Sequence, residues 1–80
     1  MEPSEIKHAI EAAIPGAEAS VSGDGHHFEA VVVSSEFEGK GLLERHRMVF
    51  DALREQMRER IHALSLKTYT PEEKKRLGNP

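Results

Sequence analysis

The sequence has no cysteine and no tryptophan, and its only aromatic residues are three phenylalanines and one tyrosine. Without cysteine the chain cannot form a disulfide, a thiolate nucleophile or a thiolate ligand for a metal. No apolar run approaches the roughly 20 residues that span a bilayer. The start, Met1-Glu2-Pro3-Ser4-Glu5, also lacks the basic and apolar stretches of a secretory signal. We therefore expect a cytoplasmic protein with no membrane association.

Motifs that mark common enzymes are missing from the sequence as well. It has no glycine-flanked serine elbow, no lysine-type phosphate loop and no histidine pair at the spacing of a zinc protease helix. The adjacent acids Glu72 and Glu73 are explained by a helix cap. The sequence therefore predicts a protein that is not an enzyme.

Size and charge set further bounds. Eighty residues with 38% hydrophobic content predict one domain, residues 1–80, because two smaller domains would each lack a core. The net charge of −3 conceals two unlike halves. Residues 1–39 hold eight acids and one lysine, whereas residues 40–67 hold seven bases and four acids. Such a division is typical of an interaction face, or of halves that attract each other in the fold.

Apolar periodicity predicts the order helix, strand, strand, helix, strand, helix. The expected bounds are Pro3 to Ile14, residues 17–22, residues 28–34, Leu42 to about Arg58, residues 63–69 and Pro71 to about Leu77. Thr70 and Glu73 are spaced as a capping box for the last helix. A hairpin followed by a helical crossover predicts an α+β fold, a three-stranded mixed sheet with helices on one face.

The predicted long helix carries an apolar stripe that should face the core. The stripe consists of Leu42, His46, Val49, Leu53 and Met57, widened by Leu43 and Phe50. His46 lies on this stripe and is expected to have a partly buried packing role. Residues 34–41, which precede the helix, are expected to form a loop.

The other histidines are the main candidates for chemistry. His8 lies off the stripe of the first helix, which favours a solvated surface position. His26 and His27 directly follow the turn signal Gly23-Asp24-Gly25. Alternation along the strand points His27 to the face opposite Phe28.

His62 stands at the head of the third predicted strand, immediately before Ala63. Spacing alone leaves two interpretations open for it and for the turn histidines, namely ordinary polar residues or ligands of a metal. Two histidines supply only half of a metal site, and no set of three or four close ligands occurs in the sequence.

A basic stretch is a second candidate site. Lys40 lies between two glycines in Gly39-Lys40-Gly41, and three arginines follow it on the predicted helix, Arg45, Arg47 and Arg54. These four bases can present positive charge to phosphate. Acidic residues flank the step, and few aromatic residues are available for base stacking. The pattern therefore favours a solvated helix face over a nucleic-acid groove.

Three phrases carry a resemblance to a known family: "VVVSSEFEGK", "LLERHRMVF" and "IHALSLKTYTP". In this order, and over about residues 5–73, the sequence resembles the BolA family. The short Gly-Asp-Gly turn is similar to the bacterial branch linked to acid resistance. The resemblance implies a fold like the class II KH domain, α-β-β-α-β-α, which agrees with the order obtained from periodicity.

The resemblance also implies a partner and a cofactor. BolA-like proteins pair with monothiol glutaredoxins through a 2Fe–2S cluster, for which the glutaredoxin supplies its cysteine and a glutathione thiol. The family's signature histidine falls on His62. The second ligand of the family comes from the hairpin turn, where the resemblance implies His27, with His26 as the alternative. No cluster is expected in the isolated chain.

A different function is implied by those BolA relatives that are held to be DNA-binding transcription regulators. In this chain it would use Lys40, Arg45, Arg47 and Arg54. The step Gly39-Lys40-Gly41 is not the Gly-x-x-Gly loop of KH domains. The sequence leaves open whether the free chain forms a weak homodimer and which client receives a cluster.

Overall fold

The computed structural model describes residues 2–59 and 63–77, with only the backbone of residues 56, 58 and 59. The elements are α1 (Pro3–Ala13), β1 (Glu18–Gly23), β2 (His27–Val33), a 3-10 turn (Ser35–Phe37), α2 (Leu42–Ala52), α3 (Arg54–Glu59), β3 (Ala63–Tyr69) and α4 (Pro71–Leu77). The predicted α+β order is confirmed, and β3 and α4 have the predicted bounds.

The sheet is mixed, in the strand order β1-β2-β3. β1 and β2 form an antiparallel hairpin, in which Gly23 lies opposite Phe28. β3 pairs in parallel with β2 and places Ala63 opposite His27. A parallel neighbour requires a crossover connection, which α2 and α3 provide.

The core lies between one face of the sheet and the helices α1 and α2. Strand alternation sends Phe28 and Val32 to this face, where they are fully or almost fully buried. The full core cluster is Ile6, Ile10, Ile14, Ala19, Phe28, Val32, Phe37, Val49 and Leu53. Removal of these side chains from water is the main force that holds the two layers together.

The predicted unbroken helix from Leu42 to about Arg58 is wrong, because the helix breaks at Leu53 and resumes at Arg54. The N–H of Leu53 lies 3.1 Å from the carbonyl oxygens of both Val49 and Phe50. Sharing of one donor between these two carbonyls is typical of a tightened helix end. The apolar period continues through the break, so the sequence pattern alone gives no sign of it.

The prediction that the whole apolar stripe faces the core is also wrong. Leu42 is 69% exposed and Leu43 64% exposed, whereas Val49 and Leu53 are fully buried. The reason is the position of the first turn of α2, which lies beside the outer edge of β3, where Leu42 and Leu66 line the same groove. The expected partly buried position of His46 is confirmed.

The segment predicted as a loop contributes a core residue. Phe37, in the 3-10 turn, is fully buried. Ser34 fixes the turn, because its hydroxyl accepts a hydrogen bond from the Glu36 N–H and donates one to the Pro15 carbonyl oxygen, both at 3.0 Å.

Within residues 2–59 and 63–77, none of the helices has the length and apolar character needed to cross a bilayer.

Candidate metal centre at the histidine turn

The turn between β1 and β2 is held by one carboxylate. Asp24 Oδ1 accepts hydrogen bonds from the N–H of His26 and the N–H of His27, each at 2.9 Å. Gly25 completes the turn with a φ of 99°, in a region that glycine adopts without steric cost. A single oxygen atom therefore fixes the backbone of both histidines.

Gly23 is required at this turn for a different reason. A Cβ at this position would lie 2.6 Å from the His27 carbonyl oxygen and 2.6 Å from Phe28 Cδ1. The strands thus approach each other at a distance that only glycine permits. The backbone of Gly23 consequently packs directly against the buried Phe28, next to the histidines.

The turn also carries a fixed negative charge. The N–H groups of His27 and then His26 hold the pKa of the Asp24 carboxyl below its usual value of 3.8, because they hydrogen-bond to the charged form. Asp24 is therefore ionised at neutral pH, beside two imidazoles.

His27 is the first residue of β2, and its side chain is exposed. The prediction that it points away from the buried Phe28 is confirmed. His26 precedes the strand and is also exposed. Both imidazoles are consequently on the surface, at the same end of the sheet.

The described part of β3 begins beside this turn. The N–H of Ala63 donates to the His26 carbonyl oxygen at 3.3 Å, and Ala63 is paired with His27. His62, the residue immediately before Ala63, lies outside the described residues. The structure therefore brings the sequence neighbour of His62 to the histidine turn.

The donors at the turn match a partial metal site. Imidazole nitrogen is a common ligand of iron and zinc. Among residues 2–59 and 63–77, no group of three or more histidines and acids is arranged to hold a metal ion. His26 and His27 are therefore two exposed imidazole donors, fewer than the set that holds a metal ion.

The two remaining histidines lie away from the turn. His8 is exposed on α1, as predicted. The ring of His46 meets that of Phe50 edge-on, with 6.2 Å between centroids. His46 Nε2 is buried and has no hydrogen-bond partner within the part of the chain that the structure describes.

The structure gives the predicted phosphate-binding residue Arg45 a partner inside the fold. Its side chain is 13% exposed and pairs with both carboxylate oxygens of Glu73, at 2.7 and 3.2 Å. Arg45 Nε also donates to the Lys40 carbonyl oxygen at 2.8 Å. The sequence pattern missed this pair because its members lie 28 residues apart.

The other candidate bases lie nearer to solvent. Lys40 Nζ donates to the carbonyl oxygen of Glu36 at 3.0 Å. Arg54 forms an exposed ion pair with Asp51 at 3.4 Å, and Arg47 is exposed. Arg54 is therefore available to a ligand at little cost, because an exposed ion pair contributes little to stability.

Comparison with known proteins identifies the class of protein that this fold and this turn define. A family profile described as "BolA-like protein" matches residues 5–73. The chain belongs to the BolA family, as the resemblance predicted.

The chain is similar to relatives with different names. It is 39% identical over 74 residues to the acid stress protein IbaG of Escherichia coli K12, which covers 91% of this chain and 88% of IbaG. It is 62% identical over 52 residues to Arabidopsis thaliana BOLA2, 64% of this chain but only 55% of BOLA2. The DNA-binding transcriptional regulator BolA of E. coli K12 is 44% identical over 52 residues, 65% of this chain and 50% of the regulator.

A solved structure confirms the fold. The chain superposes on a bolA protein homologue from Coxiella burnetii with a TM-score of 0.87 and 50% identity, over 94% of this chain and 97% of that chain. The class II KH-like architecture predicted from the sequence is therefore confirmed by a homologue that is 50% identical to this chain.

Proposed function

We propose that this chain is a non-catalytic iron–sulfur adaptor that pairs with a monothiol glutaredoxin through a shared 2Fe–2S cluster. The observation that carries the proposal is the exposed imidazole of His27, held at a rigid turn beside Ala63, the residue that follows His62. Family membership supplies the expectation of the partner. The cluster serves in iron–sulfur trafficking or iron sensing.

In this proposal the chain contributes half of a site. His27 and His62 supply nitrogen, with His26 as the alternative to His27, and the glutaredoxin supplies its cysteine and a glutathione thiol. Two histidine ligands in place of two cysteines would raise the reduction potential of a bound 2Fe–2S cluster. Asp24 holds the backbone of the turn so that the imidazole direction is set before the partner arrives.

The test is anaerobic cluster reconstitution on a monothiol glutaredoxin with glutathione, with and without this protein. Visible circular dichroism reports a change of ligands, and size-exclusion chromatography reports the complex. We expect the protein to change the spectrum, and we expect His27→Ala and His62→Ala each to abolish that change. His8→Ala is the matched control, because His8 is an exposed histidine on another element.

Two results would contradict the adaptor function. One is an unchanged spectrum with no co-elution of the two proteins. The other is a changed spectrum that survives both His62→Ala and the double variant His26→Ala/His27→Ala. Loss of the change in His26→Ala, with His27→Ala unaffected, would instead assign the second ligand to His26.

A second candidate function is DNA-binding transcription regulation, favoured by the similarity to the DNA-binding transcriptional regulator BolA of E. coli K12. The half-buried Lys40 and the exposed Arg47 and Arg54 would contact phosphate. Binding should then weaken steeply with salt, and Arg47→Glu should weaken it on every duplex. Arg76→Glu on α4 is the control, and fluorescence anisotropy at graded salt is the measurement. Binding that ignores both salt and Arg47→Glu would exclude this function.

A further inference from the structure

The outer edge of β3 carries backbone groups that no described strand pairs with. β3 is the last strand in the order β1-β2-β3. On its inner edge, the N–H of Ala63 donates to His26 and the carbonyl oxygen of Tyr69 accepts from Ser34. Residues that bond to one neighbour in a ladder alternate with residues that face the other side. Leu64, Leu66 and Thr68 therefore direct their N–H and C=O groups away from β2.

A groove of about 380 Å³ runs along this edge. Residues 66–69 of β3 form one wall, and Leu42 and His46 of α2 form the other. Because Leu42 is 69% exposed, the apolar wall of the groove is open to solvent.

Two polar atoms in the residues that line the groove have no hydrogen-bond partner among residues 2–59 and 63–77. Thr68 is only 8% exposed, and its Oγ1 lacks a hydrogen-bond partner within the described residues. His46 Nε2 is in the same situation. Buried polar atoms in folded proteins are nearly always paired, so the two residues beside the groove are incompletely satisfied within the part of the chain that the structure describes.

We propose that the outer edge of β3 binds an extended segment of a partner polypeptide as a fourth strand. Alternating N–H and C=O groups at strand spacing are matched by another extended backbone. Side chains of the added strand alternate between two faces. On one face they meet Leu42, and on the other they meet the exposed Lys67. The segment that fits therefore alternates apolar with acidic residues.

This binding does not depend on the proposed cluster function. Ala63, which pairs with the histidine turn, is the first residue of β3, whereas the groove is lined by residues 66–69. His27→Ala should leave the binding of such a segment unchanged, so that a failure of either proposal can be distinguished from a failure of the other.

The test begins with short random peptides displayed on phage and panned on the full chain. The enriched sequences are synthesised, and their affinities are measured by fluorescence anisotropy. We expect them to alternate apolar and acidic residues, and to bind Leu42→Asp at least about tenfold more weakly, which corresponds to about 1.4 kcal/mol. Leu77→Asp is the matched control, since Leu77 is 66% exposed at the end of α4.

Amide hydrogen exchange locates the bound peptide. Binding should slow exchange at the N–H groups of Leu64, Leu66 and Thr68 and leave Ser65 and Lys67, which already bond to β2, unchanged. The proposal is overturned if no sequence is enriched, or if the peptides bind Leu42→Asp as well as the wild type.

Two further results assign the groove to a different occupant and so overturn the proposal. One is the same alternating protection produced by concentrated protein alone, which would mean that a second copy of the chain occupies the edge. The other is protection by a single-stranded oligothymidine when no peptide is enriched, which would mean that the occupant is nucleic acid.

Discussion

Asp24 does more for the histidine turn than a turn signal in the sequence suggests. Its Oδ1 accepts from two consecutive N–H groups, so the carboxylate orders both histidines at once. Turn statistics favour aspartate at such positions because its side chain bonds to the backbone two residues on. The sequence therefore predicted the turn, whereas the second bond became evident only in three dimensions.

We expect Asp24→Ala to loosen the turn and Asp24→Asn to preserve it, because asparagine keeps an oxygen acceptor at Oδ1. Amide exchange at His26 and His27 should accelerate in the alanine variant and stay near the wild-type rate in the asparagine variant. The urea midpoint should likewise be lowered in the alanine variant and stay near the wild-type value in the asparagine variant. Equal exchange rates in Asp24→Ala and the wild type would contradict the role given to this carboxylate.

Gly23 sets a steric limit on the same turn. Gly23→Ala places a methyl group against the His27 carbonyl oxygen and the Phe28 ring, and overpacking of this kind costs about 1–3 kcal/mol. Urea unfolding should measure that loss in the free energy of unfolding. Ser22→Ala, one residue earlier on the exposed face of β1, is the control and should change stability by less than about 0.5 kcal/mol. Similar values for the two variants would show that the strands can separate at no cost.

At the scale of elements, α2 shows how far a periodic pattern can be trusted. Leu42 and Leu53 occupy the same predicted stripe, yet the first is 69% exposed and the second is fully buried. Periodicity gives the direction of a side chain on its helix. It does not say which turns of the helix another layer covers, because that depends on where the sheet ends.

This difference predicts unequal effects of the same substitution. Leu53→Ala leaves a cavity in the core and should cost about 2–5 kcal/mol, a large share of the roughly 5–15 kcal/mol that stabilises a typical domain. Leu42→Ala removes an exposed side chain and should cost less than about 0.5 kcal/mol. Urea unfolding of both variants checks this. Comparable losses would mean that the first turn of α2 packs against the core after all.

At the scale of the whole molecule, one carboxylate joins three parts of the fold. Glu73 Oε1 accepts from the Thr70 N–H at 2.9 Å, and the Glu73 N–H donates to Thr70 Oγ1 at 3.1 Å, which confirms the predicted capping box. The same carboxylate pairs with Arg45 of α2. The end of β3, the start of α4 and the N-terminal part of α2 are therefore connected by one side chain.

This connection predicts how stability depends on pH. The Arg45 guanidinium, followed by the Thr70 N–H, lowers the pKa of Glu73 from 4.5 to about 2. A carboxyl group whose pKa is lower in the folded state stabilises the fold at pH values above its unfolded-state pKa. This stabilisation is lost as the pH falls through the folded-state pKa. Urea midpoints should therefore decline between pH 4.5 and about 2, and Glu73→Gln should flatten the decline.

Glu72→Gln is the control for the pH series, because the one ion pair of Glu72 among the described residues is with the exposed Arg76 on its own helix. Its pH profile should follow that of the wild type. A decline of the same slope in Glu73→Gln and in the wild type would assign the acid sensitivity to other carboxyl groups.

Much of this fold could be predicted because its local patterns agree with its tertiary contacts. β2 followed from its run of β-branched valines, and α4 and its cap followed from proline placement and the Thr70–Glu73 spacing. Contacts between distant residues could not be predicted in this way. The Arg45–Glu73 pair and the exposed groove at Leu42 depend on how the layers are stacked. At the candidate site, alternation gave the face of His27, whereas the role of His62 as a ligand stays a prediction.

The outer edge of β3 also has a consequence for the solubility of the chain. Ala63–Tyr69 is a seven-residue edge strand with no proline, no glycine and one charged residue, Lys67, and segments that stack into cross-β fibrils share these features. A lysine on an edge strand opposes such stacking, because the charges of successive copies repel one another. We therefore expect Lys67 to oppose aggregation at this edge, and its replacement by an uncharged residue to make the chain less soluble.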